Sequence, residues 1–275
     1  MIDCEKPKYL SATGCSVSST ILPEIVAKLL SLLRGIFTEF SLNTKAIVTK
    51  TKPSGATFKT EFLSLKQITK MVIIAGIHTG IGKTLCSAIL CEAWGYDYWK
   101  PIQAGDLDNS DSIFIKNHVG NPLCHIHPEA YRFQTAASPH FAADTEGVVI
   151  EKEKLTLPET HNHLIVETAG GVMSPLGKNF LNIDLIKHLN LPIILVSENY
   201  LGSINHTLMT VFALKQEKIP IKGIIFNGDV VQSSVDYILE YTELPLLFSI
   251  PKMVVVNKEN VKKFVDNNLK FKLTK

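Results

Sequence analysis

No uninterrupted apolar run in this 275-residue chain approaches the roughly 18 residues that a membrane-spanning helix needs, so a membrane span is not expected. The acidic start, with Asp3 and Glu5, has the wrong sign for a secretory signal. Charge excess is also missing. A formal net charge of +2 is too small for a nucleic-acid footprint. Cysteine is scarce: Cys4, Cys15, Cys86, Cys91 and Cys124 make an odd number, with neither metal-type clustering nor the paired spacing of a disulfide scaffold. Reduced thiols in a cytoplasmic protein are the reading that fits. Cys86 and Cys91 are five apart, just off one helix face, and read as small buried apolar residues.

What is present is a globular composition. Hydrophobic residues make up 45% of the chain and charged residues 20%, enough to build a sizeable core. Residues 1–70 differ from the rest, holding ten Lys and Arg against five Asp and Glu, whereas residues 71–275 hold 18 against 21. The main body is mildly acidic. An amphipathic stretch over 19–40 carries Ile21, Ile25, Leu29, Leu32, Leu33 and Ile36 at helical spacing. Two readings stand for 1–70: an extension with no ordered role, or a helical partner or targeting element. The main domain is expected over 71–275.

From Met71 onward, short apolar runs at 71–75, 98–102, 163–167, 192–196, 221–226 and 246–250 alternate with amphipathic segments. Runs apolar throughout, without period-two alternation, are what strands covered on both faces look like, and helical separators imply right-handed βαβ crossovers. The expected fold is α/β, a doubly wound, mainly parallel sheet. Ligands of such sheets bind at the carboxyl ends of the strands.

The first strand-end loop is Gly76-Ile77-His78-Thr79-Gly80-Ile81-Gly82-Lys83-Thr84, opening a helix expected over 85–94. Glycines let backbone N–H groups wrap phosphate oxygens, Lys83 reaches the β/γ-phosphates, and Thr84 offers a hydroxyl to Mg²⁺. The pattern G-x-x-x-x-G-K-[ST] would place its first Gly at Ile77, and here that Gly sits at Gly76. His78 reads as an ordinary loop residue; partition-type ATPases carry a signature lysine there, and it is absent.

The second loop begins at Lys100-Pro101-Ile102-Gln103-Ala104-Gly105 and continues to Asn109-Ser110-Asp111. A lysine at the carboxyl end of a central strand faces the crevice where phosphates should lie. Asp111 fits two roles equally, a helix cap or a hard ligand for Mg²⁺. The third loop follows Glu167 at the end of its strand and runs Thr168-Ala169-Gly170-Gly171. An acidic residue opposite a phosphate loop suits magnesium, and the glycines would admit close backbone approach of a ligand. His118, His125, His127, His161 and His163 lack carboxylate or cysteine partners at ligand spacing and read as loop histidines rather than a metal site.

Taken together, seven motifs in order resemble dethiobiotin synthetase, of the phosphate-loop NTPase type, over 71–251: T-G-x-G-K-T at Thr79 to Thr84, K-P-I-Q at Lys100 to Gln103, N-S-D at Asn109 to Asp111, S-P-H at Ser138 to His140, V-E-x-A-G-G at Val166 to Gly171, L-G-x-I-N-H at Leu201 to His206, and Ile250-Pro251. The resemblance implies an ATP- and Mg²⁺-dependent cyclo-ligase that makes the ureido ring of dethiobiotin from 7,8-diaminononanoate and CO₂, through a carbamate and its phosphate anhydride. It implies Lys83 and Lys100 as catalytic residues, and Thr84, Asp111 and Glu167 as Mg²⁺ ligands. Gly80, Ile81, Gly82, Lys83, Thr84, Leu85, Thr168, Ala169, Gly170, Asn227, Gly228 and Pro251 would contact ATP. Thr79, Lys100, Ala104, Leu201, Gly202 and Asn205 would contact the diamine, the last three from the neighbouring subunit of a homodimer at the start of a helix over 203–216. Two positions depart from the family: Ala104 stands where a hydroxyl is common, and Gly228 replaces the usual neighbour of the adenine-reading Asn227. Nucleic acid and membrane are not expected partners.

Two other functions use a similar nucleotide core. An amide-forming ligase acting on another carboxylate would normally need an ammonia source, and no glutamine-hydrolysing domain with a nucleophilic Cys is visible. A nucleotide-switch ATPase is opposed by the missing lysine at His78 and by the acidic main body.

Overall fold

The computed structural model describes residues 70–269. The extension expected over 1–70 and the amphipathic stretch 19–40 thus lie outside the described residues, Lys70 excepted. Seven parallel strands form the main sheet: β1 (Met71–Gly76), β2 (Asp97–Trp99), β4 (Ile126–His127), β6 (Leu164–Gly171), β9 (Ile193–Glu198), β10 (Ile221–Asn227) and β11 (Leu246–Ile250). Their spatial order is β11-β10-β9-β1-β6-β2-β4. The chain winds outward from β1 in both directions, and the strand order reverses beside it. A crevice opens at such a reversal, at the carboxyl ends of the strands.

The alternating strand geometry explains the unbroken apolar runs. Ile73, Leu164, Val166, Ile193 and Leu195 enter one core layer. Their neighbours Val72, Ile74, Ile165, Ile194 and Val196 enter the other. Successive side chains point to opposite faces, so a sheet covered on both faces needs every residue apolar. Helices α1 (Lys83–Trp94), α2 (Asp111–His118) and α7 (Lys258–Asn268) cover the second layer through Ile89, Ile115 and Phe264. Helices α3 (Pro139–Thr145), α4 (Asn182–Leu189), α5 (Ser203–Gln216) and α6 (Gln232–Thr242) cover the first through Ala142, Ile186, Leu214 and Ile238. Cys86 and Cys91 are fully buried on α1, as small apolar residues would be.

Two expected strands take a different form. The run 98–102 is broken at Lys100-Pro101, with β2 ending at Trp99 and β3 (Ile102–Ala104) pairing only with β5 (Tyr131–Phe133) in a separate small sheet. Proline has no N–H for a ladder. Its carbonyl still accepts from Ala130 and Tyr131, which redirects the chain. The strand at 163–167 does not end at Glu167. It runs on to Gly171, and the register slips so that Ile74 faces Glu167 but Gly76 faces Gly171. Residues 168–170 form the bulge, which Gly170 permits at φ 79°. A hairpin of β7 (Pro175–Gly177) and β8 (Phe180–Leu181) follows.

Candidate active site

Three strand-end loops converge as expected. The phosphate loop turns at Gly80 and Gly82, both at positive φ, and Gly82 leads directly into α1. Its tightest constraint is Gly82, where an added Cβ would lie 2.3 Å from Asn227 Nδ2. That amide donates to the Ile81 carbonyl at 3.0 Å, so β10 is fastened to the loop. Lys83 is buried, and its Nζ donates to the His78 carbonyl at 3.3 Å. Burial, and next the Lys100 charge, lower its pKa to about 8, against the opposing pull of Glu167 and Asp111.

The centre of the site is a compact charge cluster. Thr84 Oγ1 lies 2.6 Å from Asp111 Oδ1 and 2.9 Å from Glu167 Oε1, and its one proton can serve only one of them at a time. Lys100 Nζ sits 2.5 Å from Asp111 Oδ2 and 3.2 Å from Glu167 Oε1. Burial alone would lower the Lys100 pKa; Glu167 and Asp111 outweigh it, and the net direction is upward. Burial pushes the Asp111 pKa up, but the Lys100 pair and the Thr84 hydroxyl carry it below the ordinary value. The cap question is settled locally: Ser110 is the N-cap of α2, accepting from Ile113 N, which leaves the Asp111 carboxylate to the cluster.

Thr84 Oγ1, Asp111 Oδ1 and Glu167 Oε1 are all hard oxygens, two of them anionic. A small divalent cation prefers such a donor set, and a lysine ammonium already answers the same two carboxylates here. The residues present therefore fit magnesium.

A cavity of about 250 Å³ adjoins this cluster. Thr79, Lys100, Ala104, Asp111, Ala169 and Gly170 are among its lining residues. Leu201, Gly202 and Asn205 do not line it; all three are exposed, with Gly202 at φ 98° capping α5. Other expected contacts are more restricted than the sequence implied. Thr168 is buried and turns its hydroxyl to the Ile74 carbonyl, so its side chain is spent on the sheet. Ile81 is buried and can offer a ligand only backbone. Leu85 is half-buried on the first turn of α1, and Pro251 is exposed just after β11. Gly171 is packed by the phosphate loop rather than left open for a ligand: a Cβ there would meet His78 Cα at 3.1 Å. Gly228 sits at φ 87°, a backbone conformation that glycine adopts without strain.

Several contributors had not been singled out as site residues. Gln103 accepts from the Asp111 backbone N–H at 3.3 Å and donates to the Gly105 carbonyl at 3.0 Å, setting the position of Asp111. Ser138 lines the cavity and lies 2.9 Å from His140 Nδ1. Asn182 holds the third loop through the carbonyls of Ala169 and Gly171. Gln103 lies in the K-P-I-Q motif and Ser138 in S-P-H, whereas Asn182 stands in no motif. The histidines are engaged elsewhere: His127 pairs with Asp97 at 3.1 Å, His118 meets the carbonyls of Phe114 and Val256, and His163 stacks on Tyr96. Among the described residues no helix is long and apolar enough to cross a membrane.

The AAA domain family matches residues 70–260. The ATP-dependent dethiobiotin synthetase BioD of Cytophaga hutchinsonii is 46% identical, with 70% of this chain and 93% of that protein covered. The enzyme of the same name from Rhodopseudomonas palustris is 40% identical over 70% and 90%, and that of Chlamydia pneumoniae 41% over 68% and 84%. A ParA family ATPase structure from Chlorobium tepidum TLS superposes with a TM-score of 0.47 at 15% identity, covering 74% of this chain and 95% of that one. At 40% identity or more to these enzymes over most of their length, the chain belongs to the dethiobiotin synthetase family.

Proposed function

We propose that this site passes the γ-phosphoryl group of ATP to a carbamate and closes the ureido ring of dethiobiotin, the ligase reaction of its family. One amine of 7,8-diaminononanoate adds to CO₂ and loses a proton, giving the carbamate. A carbamate oxygen attacks the γ-phosphorus and ADP leaves. The second amine then attacks the carbonyl carbon of this mixed anhydride and gives up a proton, the bond from that carbon to the phosphate oxygen breaks, and phosphate leaves with the electron pair. Negative charge gathers at one place throughout, so catalysis is chiefly positioning and electrostatic stabilisation.

The supporting observation is that Lys100 bonds both carboxylates while lining a cavity that also holds Thr79, Ala104 and Gly170. In this reading Lys83 and the loop N–H groups bind the phosphates, and Lys100 stabilises the carbamate and the phosphoryl group moving onto it. Thr84, Asp111 and Glu167 would hold magnesium, which when bound neutralises phosphate charge. Thr79 and Ala104 border the diamine; Asn227, Gly228 and Pro251 border the adenine.

The exposure of Leu201, Gly202 and Asn205 supports a second subunit. A helix start with free N–H groups attracts an anion by about 0.3–2 kcal/mol, and in a two-fold homodimer this one would receive the partner's substrate carboxylate. Cys86, Cys91 and Cys124, free among the described residues, fit a cytoplasmic setting, and residues 71–275 would form the catalytic domain.

The test is phosphate release from purified protein supplied with MgATP and bicarbonate, with and without the diamine. Release that requires the diamine is expected, as is its persistence after deletion of residues 1–69. Release indifferent to the diamine would refute the substrate assignment.

A further inference from the structure

Glu167 is the most heavily bonded carboxylate of the site. Its Oε1 receives Thr84 Oγ1 and Lys100 Nζ. Its Oε2 receives Ser87 Oγ at 2.8 Å and Tyr98 OH at 3.0 Å. Lys100 and Tyr98 donate to opposite oxygens, while the Thr84 and Ser87 hydroxyls each divide one proton between Glu167 and another acceptor. The four groups come from opposite sides: Lys100 lines the cavity, whereas neither Ser87 nor Tyr98 does, and both are fully buried.

Tyr98 is out of place as a core residue. It lies on β2 in the layer built from Ile74, Ile165 and Ile194, facing Ile165 across the ladder. An apolar side chain would satisfy that layer, and a phenol is stable there only because its O–H has a partner. That partner is Glu167. Burial, reinforced by the Glu167 charge, drives the phenol well above its ordinary value, so it stays a donor. Ser87, one turn along α1 from Lys83, has one proton for two acceptors, Glu167 Oε2 at 2.8 Å and the Lys83 carbonyl at 3.0 Å, and both hold its oxygen beside the carboxylate.

We propose that Tyr98 and Ser87 are positioning residues that occupy Oε2 and thereby commit Glu167 to meet a divalent cation through Oε1 alone. With Oε2 held from the core by Tyr98 and in part by Ser87, rotation of the carboxylate would break those hydrogen bonds in a dry layer. A chelating, two-oxygen contact is closed off. The inference rests on Glu167 being a cation ligand, as proposed above.

The experiment titrates Mn²⁺ into the full chain with a non-hydrolysable ATP analogue, reading free Mn²⁺ by electron paramagnetic resonance. Metal-free melting curves are recorded beside it. Removing an outer partner of a metal ligand typically weakens metal binding about 10–100-fold. Tyr98→Phe is accordingly expected to raise the Mn²⁺ dissociation constant at least about tenfold, and Ser87→Ala to raise it in the same direction. A lower melting temperature with Mn²⁺ affinity within about twofold of the parent in both variants overturns the proposal, since a purely structural role predicts that result. If Tyr98→Phe gives no cooperative melt, Ser87→Ala decides by the same criterion. Glu167→Gln separates the two levels: lost Mn²⁺ binding there with both other variants unchanged sinks only the positioning role. Unchanged binding in Glu167→Gln sinks the ligand assignment and this inference with it.

Discussion

Lys100 is buried between two carboxylates, and among the described residues its ammonium forms an ion pair with both. A charge so placed needs no reorganisation when negative charge develops beside it, which is the condition for a large electrostatic effect. Lys100→Ala is expected to cost about 3–4 kcal/mol of transition-state stabilisation, on the order of 10²–10³ in turnover. Diamine-dependent phosphate release, with circular dichroism to verify folding, measures it; near-normal turnover would remove Lys100 from the mechanism. Lys83 gives a pH prediction. Its pKa falls from 10.5 to about 8 on folding, so between those values the unfolded chain holds a proton that the folded chain lacks. Stability of the ligand-free protein should therefore rise with pH across that window. Phosphate binding needs the charged amine, so ATP affinity should fall above pH 8 or so, with proton uptake on binding. Calorimetry near about pH 9 in buffers of different ionisation heats reads that uptake directly, and its absence would exclude Lys83 as the titrating group.

At the scale of elements, the phosphate loop is held between α1 and β10. Gly82→Ala would force a side chain onto a φ of 83° and into the Asn227 amide 2.3 Å away. Expected outcomes are loss of the Asn227 bond to Ile81 and ATP binding weakened by at least about tenfold, since that residue both begins the helix and shapes the phosphate cradle. Gly147→Ala is the control: its φ is also positive at 67°, but an added Cβ meets nothing within 4 Å, so ATP affinity should be unchanged. The strands, the loop and its helix were legible because each is a local pattern, apolar runs punctuated by glycine. The break at Lys100-Pro101 was not, because apolar residues flank it on both sides and the missing proline donor ends the ladder. Nor was the bulge after Glu167, which depends on the register between β1 and β6. The Ser87 and Tyr98 contacts to Glu167 span 80 and 69 positions, and that of Asn227 to Ile81 spans 146. Such pairings exist only once the sheet order is set.

The whole molecule exposes an apolar face beside the start of α5. Met209, Phe212 and Tyr241 are 62%, 64% and 68% exposed, and with Met173 they line a groove of about 610 Å³. Leu201 stands fully exposed at the same helix start. Large apolar side chains gathered in one patch cost solubility unless something covers them. A second copy of the chain would cover them and, by two-fold symmetry, would bring its own cavity toward Gly202 and Asn205. Such a dimer should bury on the order of 1,200–2,000 Å² in total. Phe212→Glu places a charge in that patch and should shift the protein from dimer to monomer in sedimentation velocity. Because Lys83, Thr84, Asp111 and Glu167 all belong to one subunit, the monomer should keep its affinity for ATP. Diamine use should fall, because the helix start that would bind the substrate carboxylate comes from the other copy. A monomeric Phe212→Glu protein with normal affinity for the diamine would show instead that each subunit is complete by itself.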